Sequence, residues 1–329
     1  MVQGLEQEHI FAIASETEFS KAALATFHYQ YVHNNIYQAY CQHLGVRPET
    51  VKHPSQIPFL PIGFFKTKKV VSGRSRPETV FTSSGTTGVA TSSHFVQRTA
   101  LYQESFRTGF EHFYGPVQDY CVLALLPSYL ERQGSSLIYM VEDFITRSKY
   151  AESGFFLNDL TALAAQLGHL EARNIKTLLI GVSFALLDLA VQFPMTLRST
   201  TVMETGGMKG RRKEMIREEL HDVLKKGLGV AQVHSEYGMT ELLSQAYSMD
   251  HGAFKTPPWM KVLARDTEDP MALQPHGKTG GLNIIDLANR DSCAFIATQD
   301  LGKVHEDGTF EVLGRFDHAD VRGCNLMVL

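Results

Sequence analysis

The sequence predicts an α/β protein in which βα units surround a largely parallel sheet, followed by a smaller β-rich part. Three observations predict it. From about residue 97 to residue 237, strand-like apolar runs alternate with segments of helical period. Two of these runs, "DYCVLALL" (119–126) and "IKTLLIG" (175–181), are almost continuously apolar, as strands covered on both faces require. From about residue 256 the pattern changes to short runs separated by Gly, Asp and Pro.

Along the chain, residues 1 to about 45 read as helical: "EFSKAALATFHYQYVHNNIYQAYCQHLGV" has few breakers and spaces its apolar residues at three to four, until Gly45 and Pro48 stop it. "IPFLPIGFFKTKKVV" has strand-like content but two prolines, which predicts an extended edge segment. After a Gly/Ser/Thr loop come a helix in "QRTALYQESFRTGFEHFY", the strand at 119–126, and helices in "SSLIYMVEDFITRS" and "LNDLTALAAQLGHLEARN". The strand at 175–181, the helix "FALLDLAVQF", a strand and turn in "STTVMETGG", the amphipathic helix "RRKEMIREELHDVLKKG" and a strand and turn in "GVAQVHSEYG" complete the alternation. The runs "WMKVLA", "GGLNIIDL", "CAFIATQD" and "TFEVLGR" then predict a β-rich subdomain. The expected division is a core of 1–255, with a helical segment at 1–50, and a subdomain of 256–329.

The chain has 329 residues, of which 43% are hydrophobic and 20% charged, enough apolar material for a real core. A net charge of −4 without a long basic run argues against a broad nucleic-acid surface. Four cysteines (Cys41, Cys121, Cys293, Cys324) form no CxxC pair, which argues against a disulfide framework or a zinc knuckle and fits a reducing cytoplasm. The N-terminus carries early acids and no basic n-region, unlike a secretory signal. No apolar run approaches the roughly 20 residues that span a bilayer.

The loop "FTSSGTTGVATSS" (81–93) sits between a strand and a helix, where a flexible spacer is seldom found. Gly85 and Gly88 let backbone N–H groups converge, and Ser83, Ser84, Thr86 and Thr87 add hydroxyl donors, a composition suited to phosphate. It is not a Walker A loop, since Ala90 stands where that pattern needs glycine and no lysine follows.

"TSSGTTG" resembles the phosphate loop of the acyl-adenylate-forming superfamily, and three later stretches keep that superfamily's order. "METGG" (203–207) resembles its adenine-side turn, "SEYGMTE" (235–241) its Tyr-Gly-x-Thr-Glu segment, and "ATQDLGKVHEDGTFEVLGR" (297–315) its ribose and hinge segment. More narrowly, "IPFLPIGFFKTKKVVSG", "LLPSYLERQGSSLIYMVEDF", "METGGMKGRRKEM" and "RGCNLMV" resemble the acyl-protein synthetase (LuxE-like) family. The resemblance implies an adenylate-forming N-terminal core of mixed sheets, with ATP and Mg²⁺ as its requirements. It implies a carboxylic, fatty, acid as substrate and an acyl-accepting protein or reductase as partner. In that reading Ser83, Ser84, Gly85, Thr86, Thr87 and Gly88 cradle phosphates. Gly206 and Gly207 let adenine lie close, Tyr237 stacks on it beside Gly238, and Thr240 bonds the α-phosphate. Glu241 holds Mg²⁺, Asp300 accepts the ribose hydroxyls, Arg315 pairs with ribose or phosphate, and Cys324 receives the acyl group as a thioester.

The chain departs from the superfamily in two places. "VATSSH" replaces a basic residue at the end of the phosphate loop with Ser92, Ser93 and His94, and the chain is expected to lack the mobile C-terminal domain with its lysine. Three other functions stay open: an acyl- or aryl-CoA ligase, a nucleotide-binding module without catalysis, and a serine hydrolase. The last rests on "GVSFA" (181–185), which resembles a nucleophile elbow around Ser183; the plainer reading is that Ser183 caps the following helix.

Overall fold

The computed structural model describes residues 10–83, 91–126, 134–206 and 215–315. Its contacts divide the chain into two units, one of residues 1–80, 84–99 and 255–329 and the other of residues 81–83 and 100–254. The N-terminal helices therefore group with the C-terminal strands, whereas the sequence reading divides the chain between 255 and 256.

The first unit begins with α1 (Glu16–His33). Ser15 Oγ accepts from Glu18 N–H at 3.3 Å and the Glu18 carboxylate accepts from Ala14 N–H at 2.8 Å, satisfying donors that a helix start leaves open. α1 ends at Asn34, which also starts α2 (Asn35–His43): its Oδ1 accepts from Ile36 N–H at 3.1 Å and Tyr37 N–H at 3.0 Å. The stretch expected to be helical up to about residue 45 holds two helices, because the Asn34 side chain offers the backbone an alternative to the helical ladder. β1 (Leu60–Pro61), α3 (Phe64–Thr67), β2 (Thr79–Thr82) and β3 (Ser93–Val96) follow.

The second unit takes up the chain with α4 (Thr99–Tyr114), β4 (Cys121–Leu125), α5 (Ser136–Arg147), β5 (Gly154–Phe155) and α6 (Leu160–Ala172). It continues through β6 (Thr177–Val182), α7 (Ser183–Gln192), β7 (Thr200–Thr205), α8 (Arg217–Leu228), β8 (His234–Tyr237), β9 (Ala246–Ser248) and β10 (Ala253–Phe254). The sheet runs β5-β4-β6-β7-β8-β9, parallel throughout except for the antiparallel last strand. Every residue of β4 and β6 is buried, as their unbroken apolar runs predict.

The chain returns to the first unit as a meander of β11 (Met260–Arg265), β12 (Thr279–Asp286), β13 (Phe295–Val304) and β14 (Phe310–Arg315). β12 holds one edge of β13, while β1 in parallel and β14 antiparallel share the other. Pro61 is tolerated because β1 is two residues long and lies at an edge. Helix α1 is fastened to this sheet by Gln30, whose Nε2 donates to Arg290 O at 2.8 Å and whose Oε1 accepts from Ala294 N–H at 3.0 Å. Tyr37 stacks on Phe295 with centroids 6.0 Å apart. Contacts spanning some 260 residues of sequence cannot be read from local pattern, which is why the N-terminal helices look like part of the preceding core. Among the described residues no helix is long and apolar enough to cross a membrane.

Two helical glycines should respond oppositely to alanine. Gly168 in α6 has nothing within 4 Å of an added Cβ, so Gly168→Ala should stabilise by ~0.5–1 kcal/mol through helix propensity. At Gly227 in α8 the same atom would lie 2.6 Å from the Ala190 carbonyl oxygen in α7, which belongs to rigid backbone. Overpacking of this kind costs ~1–3 kcal/mol and outweighs the propensity gain, so Gly227→Ala should lower the urea midpoint while Gly168→Ala raises it.

Candidate functional site

In the second unit, the carboxyl ends of β6, β7 and β8 lie side by side, with Val182 paired to Thr205 and Thr205 to Glu236. In open parallel sheets this is the end where ligands bind, because the turns leaving the strands can diverge there. Of the residues expected from sequence to touch nucleotide, Gly206 follows β7, Tyr237 ends β8, Gly238 follows it, and Thr240 and Glu241 come next. Gly206 leaves β7 with φ +73°, a left-handed conformation that favours glycine. Tyr237 ends β8, its ring edge-on to Phe254 at 5.8 Å between centroids. Gly238 is required by close approach, since a Cβ there would sit 2.5 Å from Glu236 Oε1. Thr240 is half-buried and Glu241 is 5% exposed, in a turn closed by Leu242 N–H donating to Met239 O at 3.0 Å.

Beneath these turns lie two buried carboxylates that sequence reasoning missed. Glu204 is tied to Ser183 Oγ at 3.1 Å, and Arg217 Nε stands 3.4 Å and His221 Nε2 3.8 Å from its other oxygen. Burial alone would raise its pKa, but the nearby His221, the Arg217 charge and Ser235 together outweigh that and lower it. Glu236 accepts a short hydrogen bond from Thr205 Oγ1 and makes no ion pair among the described residues; burial, reinforced by the Glu204 charge and only partly offset by Thr205, pushes it up to about 7. The usable signal for both was a charged residue at the end of an otherwise buried strand, inside the stretches "METGG" and "SEYGMTE".

Ser183 neither caps α7 nor resembles a hydrolytic nucleophile. The helix begins at Ser183 itself, and its N-cap is Val182, which makes no side-chain bond. Ser183 is 2% exposed, and its Oγ lies within 3.1 Å of the Glu204 carboxylate and 2.9 Å of Gly206 O. Its one proton therefore faces a carboxylate and a carbonyl, whereas a nucleophilic serine needs an imidazole or similar base and an open path to substrate. Its work is to pin the turn after β7.

In the first unit, Asp300 on β13 is 7% exposed and pairs across the ladder with Arg315 on β14, Arg315 Nε lying 3.3 Å from Asp300 Oδ1. Asp300 N–H donates to Thr298 Oγ1 at 3.0 Å. His94, from the stretch "VATSSH", is fully buried with Nε2 3.0 Å from Asn289 Oδ1. Also missed was Arg265, a buried arginine at the end of β11. In the second unit, Ser83 is the last described residue before the stretch expected to cradle phosphates, and Thr82 N–H donates to Gly134 O at 2.8 Å. Ser84, Gly85, Thr86, Thr87, Gly88, Gly207 and Cys324 lie outside the described residues.

Among the described residues no group of three or more His, Cys, Asp or Glu is arranged to hold a metal. Magnesium usually takes one or two carboxylates and completes its shell with phosphate and water, so the buried Glu241 carboxylate fits that donor set.

The sequence profile described as "Acyl-protein synthetase, LuxE" matches residues 11–127 and 171–329. The Vibrio harveyi protein "Long-chain-fatty-acid--luciferin-component ligase" is 23% identical over 93% of this chain and 86% of its own length. Among solved structures, ATP-bound MatB from Rhodopseudomonas palustris matches with a TM-score of 0.55 at 18% identity, over 72% of this chain. This chain spans 47% of that MatB's length. An open conformation of 2-hydroxyisobutyryl-CoA ligase, in complex with 2-HIB-AMP and CoA, matches with a TM-score of 0.67 at 14% identity, over 92% of this chain and 71% of that one. The fold is the α/β core of the adenylate-forming enzymes.

A carboxyl group raised on folding makes the folded state hold a proton that the unfolded chain has lost. For Glu236, whose ordinary value of 4.5 rises to about 7, stability should therefore fall as pH rises through that window, by on the order of 3 kcal/mol. Glu236→Gln, neutral at every pH, should match wild type near pH 5 and exceed it near pH 8 in urea unfolding. A fluorophosphonate probe should leave Ser183 unlabelled; labelling there, lost in Ser183→Ala, would restore the hydrolase.

Proposed function

This chain belongs to the LuxE acyl-protein synthetase family, and we propose that it activates a carboxylic acid, foremost a fatty acid, with ATP and passes the acyl group to the thiol of Cys324. The observation that carries the reading is the placement of Gly206 and the Tyr237–Glu241 turn at the carboxyl ends of adjacent parallel strands, within a chain whose family match spans both its halves.

In the first step a carboxylate oxygen attacks the α-phosphorus of ATP. An O–P bond to the acid forms, the bond to the β-phosphate bridge breaks, and pyrophosphate leaves with that electron pair. Crowded negative charge makes alignment and electrostatics the main contribution of the protein. Ser83, Ser84, Gly85, Thr86, Thr87 and Gly88 would hold the β- and γ-phosphates by hydroxyl and backbone donors. Tyr237 and the glycines Gly206, Gly207 and Gly238 would receive the adenine. Thr240 would donate to the α-phosphate, Asp300 would accept the ribose hydroxyls, and Arg315 would neutralise charge beside it. Glu241 would hold Mg²⁺, which when bound offsets phosphate charge.

In the second step the Cys324 thiolate attacks the acyl carbon, the carbon–oxygen bond to phosphate breaks, and AMP leaves. A thiolate is needed, and the other three cysteines are poorly suited. Cys41, Cys121 and Cys293 are buried, and burial raises all three, Cys41 to about 12. A partner protein of the reductase type would then take the acyl group from the thioester. The printed name of the Vibrio harveyi relative supports the fatty acid.

Pyrophosphate exchange into ATP, screened over fatty and aromatic acids, tests the reading: exchange should require an acid and fall ~10²-fold in Glu241→Gln. A hydroxylamine-labile acyl label should vanish in Cys324→Ala and persist in Cys293→Ala. Nucleotide binding without any acid-dependent exchange would reduce the protein to a binding module, and a label that survives Cys324→Ala would move the acceptor elsewhere.

A further inference from the structure

We infer that Arg265 is a positioning residue for the nucleotide ribose, acting through Thr298 and Asp300 on the neighbouring strands. The inference rests on the assignment of Asp300 to the ribose hydroxyls made above.

Arg265 ends β11 and is 6% exposed, an unusual place for a guanidinium unless its fork is filled. Nη1 donates to Leu282 O at 2.8 Å and to Asn283 Oδ1 at 2.9 Å, both on β12. Nη2 donates to Thr298 O on β13. One side chain therefore bridges three strands, and the sheet is built around it. At Gly281 an added Cβ would lie 2.6 Å from Arg265 Cζ, and at Gly280 it would lie 2.3 Å from Arg265 O. The register of β12 against β13 also slips between Gly281 and Asn283, beside the residues that take the guanidinium. Any side chain at Gly281 would displace the guanidinium, so the adjacent glycines are the sequence trace of this packing.

The same acceptors lead to Asp300. Thr298 Oγ1 donates to Leu282 O at 2.8 Å, the carbonyl that also receives Arg265 Nη1, and accepts from Asp300 N–H at 3.0 Å. Arg265 thus fixes the Leu282 carbonyl and the Thr298 peptide, and Thr298 fixes the backbone of Asp300. Electrostatics runs the same way: burial pushes Arg265 down to about 10, which leaves it cationic at neutral pH, and Asp300 and Tyr40 act to raise it. The two oxygens of a carboxylate can accept two hydroxyl hydrogens, which is the role assigned to Asp300. A lysine could supply the charge but not the planar fork that reaches both strands.

Isothermal calorimetry with ATP and with 2′-deoxy-ATP, both with magnesium, separates this role from a structural one. The readout is the ratio of the two dissociation constants, which general loss of packing would leave unchanged. Wild type should prefer ATP by about tenfold or more, as a site built to bond a hydroxyl does. Asp300→Asn should bring the ratio close to one. Arg265→Lys should bring it to within about threefold of that value, and the double variant should be no worse than Asp300→Asn alone, because residues in one network are not additive. Should Arg265→Lys fold poorly, Thr298→Val keeps the shape of the side chain, removes both Oγ1 bonds, and should give the same loss of selectivity. If Asp300→Asn loses selectivity while Arg265→Lys and Thr298→Val keep it, Arg265 is structural and the positioning role is overturned alone. If Asp300→Asn keeps the wild-type ratio, the ribose assignment fails and the positioning role fails with it.

Discussion

The end of the parallel sheet is organised by one buried carboxylate, that of Glu204. It stands one residue from the end of β7 and gathers Ser183 from the start of α7 and Arg217 and His221 from the start of α8. A carboxylate that is 4% exposed is tolerated only when paired, and removing one partner of a buried pair costs ~3–5 kcal/mol because the other charge is left stranded. The ends of three successive elements are therefore fixed to a single charge, and Gly206, bonded through its carbonyl to the same Ser183, takes its position from them. The turn expected to face adenine is built from below.

Glu236, one strand over, meets different conditions. It accepts from Thr205 and makes no ion pair among the described residues, and Glu204 acts on it as a like charge. Two carboxylates on adjacent strands thus have their proton affinities driven apart, one lowered against its burial by His221, Arg217 and Ser235 and the other raised by burial. Glu236 also fills the space where a side chain at Gly238 would lie, so the glycine of the Tyr-Gly pair answers to packing as well as to any ligand. Both readings of that glycine follow from the same geometry.

In the first unit the organising charge is a cation. Arg265 is buried against backbone carbonyls, and the glycines opposite it yield the volume it needs. The Asp300–Arg315 pair is different in kind: the Arg315 side chain is 48% exposed, so solvent screens the pair and its contribution to stability is small. What that pair supplies is a carboxylate held at a set point of the ladder, directly across from Arg315.

Local pattern determined much of this protein. Continuous apolar runs at 119–126 and 175–181 specified buried parallel strands, and the small residues after β7 and β8 marked the turns at their carboxyl ends, because strand burial and turn chemistry are properties of a few adjacent residues. The order of four short stretches pointed to the adenylate-forming superfamily, and a narrower set of matched stretches to the family. Local pattern misjudged the helix broken at Asn34, whose side chain competes with the helical ladder, and the role of Ser183, whose hydroxyl is taken by Glu204 and Gly206. It was silent on Glu204, Glu236 and Arg265, and it separated the N-terminal helices from the sheet to which Gln30 and Tyr37 fasten them. Those features depend on partners tens to hundreds of residues away. The sign of a buried group's pKa shift and the fit of a guanidinium against a missing Cβ exist only once the chain has brought those partners together.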